Sequence, residues 1–292
     1  HAAAAGPPGG GRYVARPIDA AAYAAYRMPA TYAAVAAALA EVAARLPGWA
    51  PRSLLDVGAG LGAALWAAAH TWGSLASAEL IEAAPAMLAL GRQLAAHSAE
   101  PTLASADWHQ ADLGQVWRAG RHDLVTATYL MGELPAADRS TLVERLWAQS
   151  EQVLLLVEPG TPRGWAIIRA AREQLRTLGA QLLAPCPLQA ACPLPDDDWC
   201  HFAQRVARSH AQRIAKGAEL SYEDEKFSYL AVAHSPGTPI GARVLRRPII
   251  HPGRIELALC TTDGLRKTTI TRSNPARWRL VRSAAWGEAI DV

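Results

Sequence analysis

Short apolar runs alternate with amphipathic segments between residues 53 and 160. Four runs have the length of buried strands (SLLDVGA, SLASAELIE, HDLVTATYLM and QVLLLVEPG), and a weaker one lies around residues 103–111. The segments between them, such as PAMLALGRQLAAH and residues 136–149, have helical spacing. Strands that are apolar almost throughout and alternate with helices indicate an α/β fold, with a parallel sheet covered on both faces.

Other patterns flank this region. Residues 18–46 predict two helices that meet at Pro29, residues 163–182 predict another, and residues 199–217 predict a basic one. From residue 243, short strand-like runs separated by the turns HPG and TDG predict an antiparallel, β-rich lobe. The chain is thus expected to comprise a disordered arm (1–16), N-terminal helices (17–50), an α/β domain (51–183), a cysteine-bearing metal-binding and helical segment (184–242) and a basic β-rich lobe (243–292).

The charge is distributed unevenly. The whole chain carries a net charge of +3, but residues 243–282 contain ten Lys and Arg against two acids, a balance of +8 that leaves −5 for the rest. A basic lobe on a mildly acidic body predicts a polyanionic partner, for which nucleic acid is the natural candidate. The candidate RNA contacts are Arg243, Arg246, Arg247, Arg254, Arg266, Lys267 and Arg272.

A glycine-rich loop follows the first predicted strand. LLDVGAGLG places Asp56, Gly58, Gly60 and Gly62 there, where backbone N–H groups can approach a ligand. Glu82 ends the second strand, where an acid can accept both ribose hydroxyls, and Asp112, with Asp107 as its competitor, can meet an adenine amino group. The motif resembles that of the Rossmann-like S-adenosylmethionine-dependent methyltransferases, with a dinucleotide dehydrogenase as the rival.

No catalytic residue is evident. The place where base-amino methyltransferases carry an Asn/Asp-Pro-Pro-aromatic motif reads ATYLMGELP, residues 127–135, and no cysteine nucleophile lies before residue 186. Tyr129 and Glu133 fall near the expected pocket mouth. Glu133 is a candidate general base, but an acid at a helix start is the favoured interpretation.

Four cysteines are the remaining candidates for chemistry. Cys186, Cys192 and Cys200 lie within fifteen residues and Cys260 lies in the basic lobe, a full ligand set for zinc or a [4Fe–4S] cluster. The intervals differ from the short zinc knuckle, and prolines follow the first two cysteines, which favours the cluster over zinc. Free buried thiols and disulfides stay open as alternatives, and His201 is a ligand candidate only if one cysteine is absent from the site.

Several motifs together resemble one family. YRMPATYAAV, LLDVGAGLG, HDLVTATYLMGELP, LLLVEPGTPRG, APCPLQAACPL, DWCHFAQRVAR, EDEKFSYL, LCTTDG and AAWGE are similar to the mitochondrial small-ribosomal-subunit methyltransferase-like family over residues 23–290. The resemblance implies a class I methyltransferase fold, a [4Fe–4S] cluster on the four cysteines, and cofactor contacts from Gly58, Gly60 and Glu82. It also implies binding to small-subunit rRNA during ribosome assembly.

Three hypotheses follow for the function. The first is an rRNA-binding assembly factor on a methyltransferase scaffold, whose metal site ties the basic lobe to the body. The alternatives are an active S-adenosylmethionine-dependent rRNA methyltransferase and a redox- or iron-sensing RNA-binding protein. Because no apolar run spans a membrane and no secretion or mitochondrial leader is evident, we expect a bacterial cytoplasmic protein, monomeric away from the ribosome, whose partner is small-subunit rRNA or a pre-ribosomal particle.

Overall fold

The structure is a computed structural model that describes residues 14–112, 117–217 and 219–291. The predicted arm therefore lies almost wholly outside the described residues. The two N-terminal helices are present as α1 (Pro17–Tyr26) and α2 (Met28–Arg45). Pro29 lies in the first turn of α2, where its missing N–H leaves no helical hydrogen bond unmade.

An eight-stranded sheet forms the body of the molecule. Its strands are β1 (Ser53–Val57), β2 (Ser77–Glu82), β3 (Asp107–Gln110), β4 (His122–Thr128), β5 (Ser150–Pro159), β6 (Gln181–Ala184), β7 (Phe202–Ala207) and β8 (Tyr222–Ala233). The strand order is β3-β2-β1-β4-β5-β8-β6, with β7 paired to one end of β8. Strands β1 to β5 are parallel, and β8 lies antiparallel between β5 and β6. This is the Rossmann-like topology of class I methyltransferases.

Helices cover this sheet. They are α3 (Ala63–Thr71), α4 (Pro85–Ala96), α5 (Pro101–Ala104), α6 (Ala136–Gln149), α7 (Pro162–Thr177) and α8 (His210–Lys216). Helix α2 packs on α3, α6 packs on α7, and both α2 and α7 contact β5 and β8. The middle of the sheet is correspondingly dry, since Leu124, Val125, Leu154 and Leu155 are fully buried. In the described ranges no helix is long and apolar enough to cross a membrane.

The C-terminal lobe is a second, antiparallel sheet. It contains β9 (Ala242–Val244), β10 (Ile249–His251), β11 (Arg254–Thr261), β12 (Gly264–Thr271) and β13 (Ala289–Ile290), with α9 (Pro275–Val281) beside β12. Ile255, Leu257 and Leu259 on one face of β11 form a small core with Ile270 and Val281. The opposite face carries Cys260, which packs against the core of the body. The predicted β-rich lobe is therefore present, with a helix that was not predicted.

The cysteine-bearing segment corrects two predictions. Residues 199–217 were expected to be one helix, but the first part is β7, and only His210–Lys216 is helical. Strand β7 forms because it pairs with β8, from Phe202 opposite Phe227 to Ala207 opposite Tyr222. The helix predicted at 163–182 ends earlier, at Thr177, and the chain continues into β6. The segment is thus part of the main sheet.

Candidate cofactor and metal sites

The loop after β1 turns sharply through three glycines. Gly58, Gly60 and Gly62 have φ of +71°, +57° and +80°, in the left-handed region that glycine enters most easily. Gly58 N–H donates to Ile81 O at 2.8 Å, which holds the loop against the end of β2. A Cβ at Gly58 would lie 2.6 Å from the side chain of Leu130. The loop lies between β1 and β4, where the strand order reverses and where α/β sheets bind ligands.

Glu82, the last residue of β2, lies beside this loop. Its two carboxylate oxygens accept hydrogen bonds from Gly60 N and Ala84 N, each at 2.7 Å. Because each oxygen has two lone pairs, the carboxylate can still accept from a further donor. The bracing of the loop by Glu82 was not predicted, and its contact with ribose hydroxyls stays a prediction.

Asp56 is fully buried in β1. Its Oδ1 accepts a hydrogen bond from Thr126 Oγ1 at 2.7 Å, whereas Oδ2 has no hydrogen-bond partner among the described residues. Burial raises the pKa of Asp56 to about 7, and the nearby Glu82 carboxylate acts in the same direction, against the Thr126 hydrogen bond. An unpaired buried oxygen next to the glycine loop is suited to a donor that a ligand or a water would bring.

The structure separates the two candidates for the adenine contact. Asp107 is the first residue of β3 and bonds His109, with 3.0 Å between Oδ2 and Nε2. Asp112 follows the carboxyl end of β3, just after Ala111, whose N–H donates to Glu82 O at 3.1 Å. Since the glycine loop also lies at the carboxyl edge of the sheet, the edge position favours Asp112 over Asp107.

Tyr129 follows β4 and is anchored in the body. It has φ of +56°, unusual for a residue with a side chain, and its hydroxyl donates to Glu225 at 3.0 Å. Arg27, at the junction of α1 and α2, donates two hydrogen bonds to the same carboxylate at 3.0 and 3.1 Å. Arg27 and Glu225 were not predicted as neighbours of the pocket, because residues 198 positions apart leave no local signal.

The rest of the loop after β4 is also held internally. Glu158, buried at the end of β5, accepts from Met131 N at 2.8 Å, and burial raises its pKa to about 7. On the carbonyl side, Arg139 donates to Met131 O and Leu134 O. Arg163 donates to Gly132 O at 2.9 Å. A carboxylate inside the apolar run LLLVEPG was the signal that could have identified Glu158.

Glu133 lies in the same loop. It ends the short 3-10 helix Met131–Glu133, whereas α6 begins only at Ala136. Glu133 is therefore not in the first turn of α6. Three carbonyls of this loop thus already accept hydrogen bonds from arginines, those of Met131, Gly132 and Leu134.

The four cysteines line one cavity, and all four are free thiols. Cys186, Cys192 and Cys200 come from the loop between β6 and β7, and Cys260 comes from β11 of the C-terminal sheet. Cys200 is buried, and the others are partly buried. In the described part of the chain, no group of three or more His, Cys, Asp or Glu is arranged to hold a metal ion. The sequence thus predicted which cysteines meet, but the thiols do not close around a single ion.

The thiols influence one another electrostatically. Burial, with Cys186 and Cys192 adding to it, raises the pKa of Cys260 to about 12. Burial and the other three thiols raise the pKa of Cys200 well above its ordinary value. Burial therefore favours the neutral form of the Cys200 and Cys260 thiols. A positively charged occupant would favour their thiolates.

Two buried arginines border the cysteine cavity, and each is 1% exposed. Arg172 of α7 donates to Cys186 Sγ at 3.3 Å. Arg243 of β9 donates to Pro185 O, Gly287 O and Glu41 at 3.0, 2.6 and 2.7 Å. Arg243 was predicted as an RNA contact. This prediction needs correction, because the guanidinium is buried and its donors are used within the protein.

Comparison with known proteins identifies the family of this chain. The family described as "Mitochondrial small ribosomal subunit Rsm22" matches residues 17–291. The chain belongs to the Rsm22 family. It is 30% identical to the human ribosome assembly protein METTL17, mitochondrial, over 92% of this chain and 62% of that protein. It is 23% identical to the Rsm22-cox11 tandem protein 2 of Schizosaccharomyces pombe over 47% of this chain and 24% of that protein. The chain thus spans less than two thirds of either relative.

Solved structures show weaker likenesses to this Rsm22-family chain. Magnesium protoporphyrin IX methyltransferase from Synechocystis with bound SAM is 17% identical, covers 71% of this chain and 79% of its own, and has a TM-score of 0.43. Precorrin-6y C5,15-methyltransferase from Geobacter metallireducens is 14% identical, covers 68% and 86%, and has a TM-score of 0.42. The fold of this Rsm22-family chain is therefore assigned from its own strand order.

The motifs around Cys200 and the C-terminus meet at His201. This histidine is buried and stacks on Trp199, with ring centroids 5.1 Å apart, while Trp286 approaches it edge-on at 4.9 Å. Its Nδ1 lies 3.2 Å from Trp199 O, and burial lowers its pKa. His201 does not line the cysteine cavity. In this Rsm22-family chain it joins the cysteine segment to the C-terminal lobe by packing.

The remaining predicted RNA contacts differ in their surroundings. Arg246 forms an ion pair with Asp198, and Arg247 forms one with Asp224 at 3.1 Å. Arg254 lies 3.6 Å from Glu256. Six exposed basic side chains follow on β12, after it and on or beside α9, and we call them together the β12–α9 basic surface: Arg266, Lys267, Arg272, Arg277, Arg279 and Arg282. The last three were counted in the charge of the lobe but were not selected as contacts.

Proposed function

We propose that this chain is an rRNA-binding assembly factor of the small ribosomal subunit, built on an S-adenosylmethionine-binding scaffold that carries a [4Fe–4S] cluster. The observation that carries the proposal is the convergence of four free cysteines, from the body and from the basic lobe, on one cavity. Membership of the Rsm22 family and the similarity to the human relative, a ribosome assembly protein, support the ribosomal part. We propose that it acts as a monomer in a bacterial cytoplasm.

The four cysteines on this cavity would supply a full ligand set for a cluster, with zinc as the alternative metal. Four thiolates around a cluster would also match the two buried arginines at the cavity wall. The indole N–H of Trp165, another wall residue, has no hydrogen-bond partner among the described residues and would suit an occupant that accepts hydrogen bonds.

Cys186, Cys192, Cys200 and Cys260 would hold the cluster. With four cysteines, every iron would have a protein ligand, so the cluster would supply a structural link and a one-electron redox centre rather than an open iron. The link would join the loop before β7 to β11. The orientation of the β12–α9 basic surface against the body would then depend on the cluster.

The glycine loop supports the cofactor part of the proposal. The glycine turn without side chains, the carboxylate of Glu82 and the position of Asp112 suit a nucleoside ligand. The unpaired Oδ2 of Asp56 would suit the ammonium group of S-adenosylmethionine, directly or through a water. When bound, this cofactor supplies a methyl group attached to a sulfonium. Because the loop after β4 is held by Glu158, Arg139 and Arg163, binding is proposed here without methyl transfer.

The experiment that tests the proposal begins with purification without oxygen. We expect a brown protein with about four irons and four sulfides per chain. It should bind small-subunit rRNA more tightly than a large-subunit fragment of equal length at the same salt concentration. A colourless protein with one zinc would contradict the cluster, and equal binding of both RNAs would contradict the small-subunit assignment.

Two alternatives are distinguished with the same material. An active rRNA methyltransferase would convert labelled S-adenosylmethionine on small-subunit particles and leave a labelled nucleotide. A redox- or iron-sensing protein would change its rRNA affinity between the oxidised and the reduced cluster. The proposal expects no labelled nucleotide and equal affinity in both redox states.

A further inference from the structure

Arg172 donates several hydrogen bonds to the loop that carries the first two cysteines. It lies on α7, is 1% exposed and points its guanidinium at the loop between the first two cysteines. Nε donates to Cys186 Sγ at 3.3 Å. One terminal nitrogen donates to Leu188 O at 2.8 Å and to Ala190 O at 2.7 Å. A single side chain thus binds one thiol and two carbonyls of the same seven-residue loop.

Its neighbour holds the other end of that loop. Glu173 accepts a hydrogen bond from Cys192 N at 3.2 Å and pairs with the remaining guanidinium nitrogen of Arg172. The fork of an arginine is rigid, so three acceptors that share it are fixed relative to one another. The Arg172–Glu173 pair therefore positions both Cys186 and Cys192 from one turn of α7.

The second buried arginine has a different role. Arg243 also borders the cavity, but its recorded hydrogen bonds go to Pro185 O, Gly287 O and Glu41. It ties α2, the start of the cysteine loop and the C-terminal strand together, and it does not bond to a thiol. Of the two buried arginines, only Arg172 contacts a sulfur atom of a proposed ligand.

We propose that Arg172 is a positioning residue that holds the Cys186–Cys192 loop ready to bind the cluster and raises the reduction potential of the cluster. This rests on the cluster of the proposed function. Groups that fix metal ligands from outside govern metal retention, and hydrogen bonds to cluster sulfurs set the potential. An N–H donor at Cys186 reduces the electron density that the thiolate gives to iron, and a buried cation favours the reduced, more negative cluster.

The test uses the full chain, purified without oxygen, as Arg172→Lys and Arg172→Gln variants. The lysine keeps the positive charge but cannot bind three acceptors with fixed geometry. The glutamine loses both the charge and the fixed binding of the three acceptors. We expect both variants to release iron to a chelator about tenfold faster than the wild type, the lower end of the effect of such outer groups. The midpoint potential should fall in both variants, and further in Arg172→Gln.

Arg176→Gln is the matched control. It lies one turn further along α7, is partly exposed and bonds to Glu173 at 3.0 Å. Iron release and midpoint potential should stay at wild-type values in this variant. If both Arg172 variants release iron at the wild-type rate and keep the wild-type midpoint potential, the role proposed for Arg172 is wrong, while the proposed cluster is unaffected.

A metal-independent measurement separates this inference from the proposed function. In the metal-free chain, backbone amides of residues 186–192 should exchange hydrogen faster in Arg172→Lys than in the wild type. In Glu173→Gln the amide exchange rate at Cys192 should increase by a smaller factor. Because Glu173 is partly exposed, we expect this variant to fold. If the chain never binds iron, faster exchange in the variant would support the positioning role and exclude the redox role. If the chain never binds iron and the exchange is also unchanged, both roles are excluded.

Discussion

The candidate cofactor site lies at the carboxyl edge of the main sheet, beside the glycine loop, and we call it the edge. The edge and the cysteine cavity are built in opposite ways. The edge takes its residues from the ends of consecutive strands, so Asp56, Gly60 and Glu82 meet because β1 and β2 are neighbours in the sheet. The cavity takes its residues from α7 and the loop before β7, which belong to the body, and from β9 and β11, which belong to the C-terminal sheet. The edge belongs to one sheet alone, whereas the cavity exists only when both sheets are in place.

This difference has a consequence for damage to each site. A change at the edge should remove a ligand and leave the C-terminal lobe where it is. A change in the cavity should loosen the contact between the lobes and thereby affect a surface that the mutated residue does not touch. The first two predictions below rest on the proposed cluster and cofactor, and they set one site against the other.

The largest expected effect is the near-complete loss of iron from Cys260→Ser. This variant should hold almost no iron, and its affinity for small-subunit rRNA should fall by about tenfold or more, roughly 1.4 kcal/mol, although no charge is lost. Affinity for S-adenosylmethionine should stay unchanged, because the edge does not include β11. Iron analysis, rRNA titration and calorimetry provide the three measurements.

Ala258→Ser is the control for the cavity. Ala258 lies two residues before Cys260 on the same face of β11, so the substitution introduces the same hydroxyl without removing a thiol. It should keep both iron and rRNA affinity. Loss of iron from Cys260→Ser with unchanged rRNA affinity would show that the cavity does not organise the basic surface.

Gly60→Val should have the next largest effect, at the other site. Its φ of +57° is strained for a β-branched residue, and the new Cβ would lie 3.3 Å from Met87 Cε. Affinity for S-adenosylmethionine should fall by about a thousandfold, or ~4 kcal/mol, while iron content stays constant. Gly73→Val is the control, since a Cβ there meets no atom within 4 Å. Equal binding by Gly60→Val would move the pocket elsewhere.

Asp56→Asn should change the pH dependence of stability. Because the folded-state pKa of Asp56 is raised to about 7, the folded chain holds this proton more tightly than the unfolded chain. Its contribution is therefore present at low pH and is lost as pH rises from the ordinary value of 3.8 through about 7. At about 1.4 kcal/mol per pKa unit, the shift corresponds to about 4 kcal/mol.

The measurement compares urea unfolding of the ligand-free chain at pH 5 and pH 8. The decrease in free energy of unfolding between these values should be smaller in Asp56→Asn than in the wild type. Glu158, whose pKa is also raised to about 7, leaves a residual slope in both proteins. An identical slope in both would mean that Asp56 titrates near its ordinary value.

The sequence predicted the edge well because its signals are local. Strand ends, glycines and a carboxylate in an apolar run are all visible within LLDVGAGLG, and parallel strands bring such residues to one edge. The choice between Asp107 and Asp112 depended on where β3 begins, which apolar patterning does not locate. The four cysteines were grouped correctly by residue type, although their spacing did not reveal the arginines between them.

Long-range pairing explains what the sequence did not predict. Phe202–Ala207 was read as helical from its composition, and only the partner strand β8 makes it a strand. Arg243 was counted as a surface charge because a basic count carries no information on burial. Helix α9 was missed, although Asn274 and Pro275 form a helix start in which Asn274 Oδ1 accepts from Arg277 N at 3.2 Å.

The smallest expected effect tests the basic surface without touching either site. Lys267 is exposed on β12, opposite Ala258. If it contacts one phosphate, Lys267→Ala should reduce the slope of log affinity against log salt by about 0.7 for single-stranded rRNA. Arg121→Ala removes an exposed arginine that lies just before β4 and pairs with Glu151 at 3.1 Å, and it should leave the slope unchanged. Because Cys260→Ser displaces the whole surface, it should lower the slope by several contacts at once. Equal slopes for Lys267→Ala and Arg121→Ala would place the RNA contacts outside β12.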